Sequence, residues 1–365
     1  MTARRLLSAV IALLLLCVPA WAQAVSSQAG PAQFDDLAAR AAQARDAGNV
    51  EQATDLYRQA TALKPDWQEG WWYLGLLQYS ANQYQPAIDA FTHLLQLAPQ
   101  AVPPMALRGL CEFETAAYDE ALRDLEQSVA HGAANDPRNA QILRFHLAQL
   151  LTRAGRFQDA LTQYAFFPKE KVENANLDAA IGMAGMRIAG LLSDAPAQDR
   201  ALYEAAGHAG YALLDEDSMG ADKRFRELFA QNPSARNLHY FYGFLLFPSA
   251  PEMAVVEFER ELAIAPDNTS ARAMLAFSLM ITGHYAESRT EAERVLVESP
   301  GMEMAQIALG RAMVEAGEYA RGEEMLKQVL AGDPQNKEAH LGLIAIYSHT
   351  GRKEDAQRER LAMVK

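Results

Sequence analysis

The chain has 365 residues, half of them hydrophobic, which excludes wholesale disorder. Its 46 acidic residues outnumber 33 basic ones for a formal net charge of −13, a balance that repels nucleic acid and anionic lipid headgroups. Two cysteines, Cys17 and Cys111, cannot build a disulfide framework, so the fold must stand on an apolar core.

The first segment reads as an export signal. Arg4 and Arg5 precede an apolar run from Leu6 to Val18, followed by Ala20-Trp21-Ala22, an A-x-A cleavage site. The run is too short to cross a bilayer comfortably. Cleavage is expected after Ala22, with Ala24 as the alternative, giving a periplasmic or secreted protein with no stable membrane span. Leu7-Ser8 departs from a twin-arginine signal, and Leu16 stands where a lipidated Cys17 would need a small neighbour. Residues 23–33, "QAVSSQAGPAQ", read as a flexible leader. Removal of residues 1–22 leaves a single thiol, Cys111, and raises the net negative charge to about −15.

Beyond the leader the chain repeats. Pro65 and Pro99 stand 34 residues apart, and Pro233, Pro266, Pro300 and Pro334 follow at spacings of 33, 34 and 34. Twelve residues before them lie Ala53, Ala87, Ala221, Ala254, Ser288 and Gly322, all small. Four residues after each small position comes Tyr57, Phe91, Phe225, Phe258, Ala292 or Leu326, bulky in every case but Ala292. Turn strings recur in step: "AGNVEQA", "ANQYQPA", "TGHYAES", "AGEYARG" and "TGRKEDA" each join two apolar-periodic segments of helical length.

A helix-turn-helix unit of this period, with Trp71, Leu74, Gly75, Ala87, Phe91 and Pro99 in the second unit, resembles the tetratricopeptide repeat family. Small residues let two helices approach, the bulky partner fills the space beside them, and proline sets the turn into the next unit. The resemblance implies an all-α fold, an α-solenoid of tetratricopeptide helix-turn-helix repeats forming a right-handed superhelix. Units are placed at 34–67, 68–101, 102–135, 141–174, 202–235, 236–268, 269–302, 303–336 and 337–365. That gives an N-terminal array over 34–168 and a C-terminal array over 202–365. Between Ala121 and Ala160 the period slips to 39 residues, with "HGAANDPRN" inserted. Residues 169–201 fit no unit. Their "GMAGMRIAG" holds small residues at helical spacing and reads as a degenerate repeat or an extra, closely packed helix.

In the family, the first helix of each unit lines the concave face, with positions 2, 5, 9, 12 and 13 turned to the groove. "DWQEGWWYLGLLQY" holds three of the four tryptophans. By this register Trp71 is core, whereas Trp67, Trp72 and Tyr79 are groove candidates, with packing against the leader or a neighbouring helix as the alternative. Further along, Tyr240, Phe244, Phe247, Phe277, Met280, Ile281 and Ile307 fall at groove positions and would form an apolar row, the mark of a partner surface. The lysine, arginine and asparagine clamp of chaperone-binding members is absent: Ala38, Ala42, Trp72 and Leu76 occupy its places.

No chemistry emerges beside the repeats. The eight histidines form no HExxH or CxxCH spacing, no GxSxG or phosphate loop occurs, and Glu323-Glu324 and Asp215-Glu216-Asp217 read as solvated faces or linker. Cys111, beside Gly109, reads as buried and inert. The expectation is therefore a non-catalytic exported scaffold, without cofactor, catalytic residue or metal, that binds protein or peptide segments in its concave groove. The alternative is an accessory subunit of a cell-envelope enzyme complex for cell-wall or polysaccharide processing.

Overall fold

The computed structural model describes residues 32–172 and 175–363. The expected signal segment, both cleavage positions and nearly all of the leader lie outside these residues. Within them the regular structure is helical throughout, and the chain divides into two compact units. The first holds residues up to 172 together with 189–195, and the second holds 175–188 and everything from 196 onward. Residues 169–201, read as one irregular stretch, are thus shared between them.

In the first unit, antiparallel pairs form from Ala32–Asp46 with Val50–Leu63 and from Gln68–Ser80 with Tyr84–Leu97. Two further pairs join Val102–Glu114 to Tyr118–Ala130 and Pro137–Arg153 to Phe157–Tyr164. In the second, Ala175–Gly185 packs on Arg200–Leu214, which pairs with Ser218–Gln231. Four more hairpins follow, beginning at Leu238, Thr269, Glu303 and Lys337.

The turn inside most pairs has one construction. A single residue takes the left-handed conformation: Gly48, Asn82, Ala116, Gly155, Glu216, Gly283, Gly317 or Gly351. The residue after it then donates its N–H back to a carbonyl five residues earlier, as from Asn49 to Ala44 and from His284 to Leu279. This closes the orphan carbonyls of the first helix in a Schellman turn, and glycine is the residue that adopts it without strain. The turn strings seen in the sequence are these caps.

The turn between pairs is built on the periodic proline. Pro65, Pro99, Pro266 and Pro334 each occupy the second place of a hydrogen-bonded turn, as in the bond from the Trp67 N–H to the Lys64 carbonyl. The proline carbonyl is left without a helical partner, and a side chain four places into the next unit supplies a donor. Trp71 Nε1 reaches Pro65 O at 2.8 Å, Arg272 Nη2 reaches Pro266 O at 2.7 Å, Gln306 Nε2 reaches Pro300 O at 2.9 Å, and His340 Nε2 lies 3.1 Å from Pro334 O. Four different residue types serve one geometric need.

The core follows the period. Ala53, Ala87, Ala121, Ala160, Ala221, Ala254 and Ser288 are fully buried, as are the partners four residues on, among them Tyr57, Phe91, Leu125, Tyr164, Phe225, Phe258 and Leu326. A Cβ at Gly75 would lie 2.5 Å from the Phe91 ring, and one at Gly310 would lie 2.9 Å from Leu326. The glycine of the first helix thus receives the bulky residue of the second. Buried aromatic and leucine side chains at these positions contribute roughly 1.5–3 kcal/mol each.

Candidate functional site: the first-helix face

Helices that open successive repeats lie side by side, Thr269–Ile281 against Glu303–Glu315 and that helix against Lys337–His349. The seam between them consumes part of the predicted apolar row. Met280 and Ile307 are buried there, in a cluster with Ala276, Leu309, Met313 and Tyr347. Tyr240 is also buried, with its ring 5.8 Å from that of Phe258 on the partner helix of its own hairpin. The Arg187 guanidinium lies 5.3 Å above the Tyr240 ring. These three residues therefore offer no open surface, contrary to the expectation from register. Register fixes direction, but the width of the seam decides whether a side chain ends in solvent or against the next helix.

The rest of the row stays accessible. Phe244, Phe247 and Phe277 are half-buried, and Ile281 is 43% exposed. Phe247 and Phe277 come from successive hairpins and meet with ring centroids 5.7 Å apart, while Phe244 stacks on Tyr240 at 6.3 Å. These four side chains form a short apolar strip on the first-helix face of the second unit, with Phe244 against the buried Tyr240 and Phe277 packed on the buried cluster.

The tryptophan-rich helix behaves differently. Trp72 and Tyr79, expected at the groove, are buried, Trp72 against Phe91 and Tyr79 beside Tyr84. Burial pushes the Tyr79 hydroxyl far above the ordinary tyrosine range. Trp67 is half-buried, stacked on Tyr57 at 5.7 Å and edge-on to Phe34 at 5.1 Å, so it closes the joint between the first two hairpins. Trp71, expected in the core, is half-exposed and stacked on His93 at 4.4 Å. Its indole N–H must reach the Pro65 carbonyl at the repeat boundary, and that holds the ring at the rim. Trp67 and Trp71 therefore tie the boundary between the first two hairpins, while Trp72 packs inside its own.

Among the described residues, no group of three histidine, cysteine or acidic side chains is arranged to hold a metal ion. No described helix is long and apolar enough to cross a membrane. His239 sits 2.6 Å from Glu257 and stacks on Phe229 at 3.8 Å, and His340 lies 2.6 Å from Glu359. Both are bound within the hairpin framework. Cys111 is buried, and burial, with Glu112 and Glu114 nearby, pushes its thiol well above the ordinary range. Glu112 is itself buried and pushed up to about 7 by burial and the charge of Asp124, against the pull of Arg108.

Models of the tetratricopeptide repeat match residues 38–102 and 313–359. No curated protein sequence matches the chain. A crystal structure of a tetratricopeptide repeat protein from Parabacteroides merdae ATCC 43184 is 12% identical over 78% of this chain and 100% of that one, with a TM-score of 0.35. The structure described as MamA AMB-1 is 18% identical over 46% of this chain and 91% of that one, with a TM-score of 0.36. Residues 38–102 and 313–359 are thus tetratricopeptide repeats, and the same Schellman-capped hairpins with interlocked small and bulky residues recur between them.

Proposed function

We infer that this protein is an exported, non-catalytic scaffold that binds extended or helical segments of other proteins on the first-helix face of its second unit. The observation that carries this reading is the strip of Phe244, Phe247, Phe277 and Ile281, accessible apolar side chains in a row that crosses adjacent hairpins. Aromatic anchors already packed against neighbouring rings lose little conformational freedom on binding and are enriched among residues that dominate interface energy. The acidic balance of the chain favours partner segments with basic residues flanking the apolar contact. Export rests on the basic start, the apolar run and the A-x-A site.

The test is crosslinking. A photoreactive amino acid replaces Phe247, and a second preparation carries it at Val297, which is 83% exposed on the second helix of a hairpin. Crosslinks to envelope or secreted proteins should form from position 247 and be lost in the Phe277→Glu background. Equal crosslinking from both positions, or none from 247, removes the strip as the binding surface. N-terminal sequencing of the native protein tests export: a start at Gln23 or Val25 is expected, and a cytosolic chain starting at Met1 overturns it.

A further inference from the structure

The five-residue lengthening of the period between Ala121 and Ala160 changes more than spacing. Gly132 turns the chain through the left-handed region at φ 90°, Ala133–Asn135 form a single 3₁₀ turn, and Asp136 caps the next helix by accepting from the Arg138 N–H at 3.0 Å. The 3₁₀ turn packs against Pro137–Arg153, the helix that follows it. Thr269–Ile281 and Glu303–Glu315 pack along each other, whereas Val102–Glu114 and Pro137–Arg153 barely touch. The gap between them is a cavity of about 290 Å³.

Its walls are apolar. Ala106, Leu107, Leu110 and Leu143 form the buried interior, and Val102 and Ile142 stand half-buried among the lining residues. Two polar side chains, His131 and Asn139, share the lining. His131 is exposed at the rim and donates its Nδ1–H to the Gln127 carbonyl at 2.7 Å, so any hydrogen bond to a ligand falls to its other ring nitrogen. Among the described residues, no carboxylate, lysine or arginine lines the cavity, so a charged ligand would enter it without a counter-charge.

The geometry points to a binding site for a small, uncharged molecule with an apolar body and a single amide or hydroxyl head, held in the walls and hydrogen-bonded by His131 and Asn139. Size selects against a lone side chain of a protein partner. A cavity of roughly 150 Å³ takes benzene, so this one holds about twice that, a medium acyl chain or a bicyclic ring. A single leucine or phenylalanine side chain would leave much of it empty. The site belongs to the first unit and stands independently of the aromatic strip in the second.

Octanamide is a suitable probe, with octanoate as its charged counterpart, each titrated calorimetrically into the full chain. Saturable octanamide binding is expected, with octanoate at least tenfold weaker. Val102→Trp, a change at a half-buried lining position, should fill the cavity and abolish binding, and circular dichroism checks that the variant is folded. Asn139→Leu should weaken octanamide about three- to tenfold, the loss of one neutral hydrogen bond. Absence of saturable octanamide binding, equal affinity for octanoate, or undiminished binding by a folded Val102→Trp chain would each overturn the assignment.

Discussion

Gly207→Ala sets two physical effects of opposite sign against each other. In a helix interior alanine is favoured over glycine by about 1 kcal/mol, so local propensity alone makes the substitution stabilising. Packing opposes it. A Cβ at position 207 would lie 1.6 Å from the Asp178 carbonyl oxygen and 2.7 Å from the Gly182 nitrogen, both backbone atoms that cannot rotate away. The reciprocal Cβ at Gly182 would lie 1.9 Å from the Tyr203 carbonyl oxygen. Relief requires Ala175–Gly185 and Arg200–Leu214 to separate by roughly 2 Å, and a gap of half that already forfeits a quarter to a half of each dispersion contact. The interface includes the buried Ile181, Tyr203 and Ala206, so the net loss should be about 3–5 kcal/mol after the propensity gain. Urea unfolding of Gly207→Ala measures it, with Gly332→Ala as the control, since no atom lies within 4 Å of a Cβ there. The control should be neutral or slightly stabilised. A Gly207→Ala midpoint at or above that of the wild type would show that the two backbones are not in contact and refute the reasoning.

Phe258→Ala should lose about 3–5 kcal/mol because its ring is fully buried, while Phe244→Ala, on the half-exposed strip, should lose much less; similar thermal shifts would make the strip core. Ala116, in the left-handed region at φ 61°, should gain on the order of 1 kcal/mol when replaced by glycine, read as a higher unfolding midpoint. Cys111 should resist thiol reagents at pH 8 until the chain is unfolded by urea, since burial keeps its thiol protonated. Glu112, pushed up to about 7, binds its proton more tightly folded than unfolded. Its contribution should therefore fall as pH rises from about 4.5 to 7, and Glu112→Gln should flatten that slope and raise stability at pH 8 by about 1–2 kcal/mol; an unchanged slope would place the effect elsewhere.

The hairpins were legible because their constraints are local and recur. Gly48, Gly283, Gly317 and Gly351 mark left-handed caps that few other residues fill cheaply, and Ala87 with Phe91, or Ala254 with Phe258, states a contact within one hairpin by spacing alone. Gly182 and Gly185 were likewise readable as close packing at helical spacing. Their partners were not: the ring that covers Gly185 belongs to Phe241, and the backbone facing Gly182 belongs to Tyr203 and Gly207. A glycine announces that something approaches, and only the fold says what.

The candidate site was less legible for a related reason. Helical register gives an azimuth, and Tyr240, Phe244, Met280 and Ile307 share the groove azimuth. Their exposure depends on the distance to the adjacent first helix, which is set by residues on that other helix. Where Ala276, Ala305 and Ala308 keep the helices close, Met280 and Ile307 disappear into the seam. Beside Gly132 and Ala133, Ala106 and Leu110 line a cavity in place of a contact. The slip from 34 to 39 residues was visible in the sequence, but the cavity beside it was not, because an insertion can bulge outward as readily as line a space between two helices. The depth of any position on this face is thus a property of two neighbouring repeats jointly. Substitutions that change helix spacing, such as Ala308→Leu in the closed seam, should therefore expose Met280 without touching it, and increased oxidation of Met280 by peroxide in the folded variant would report that opening.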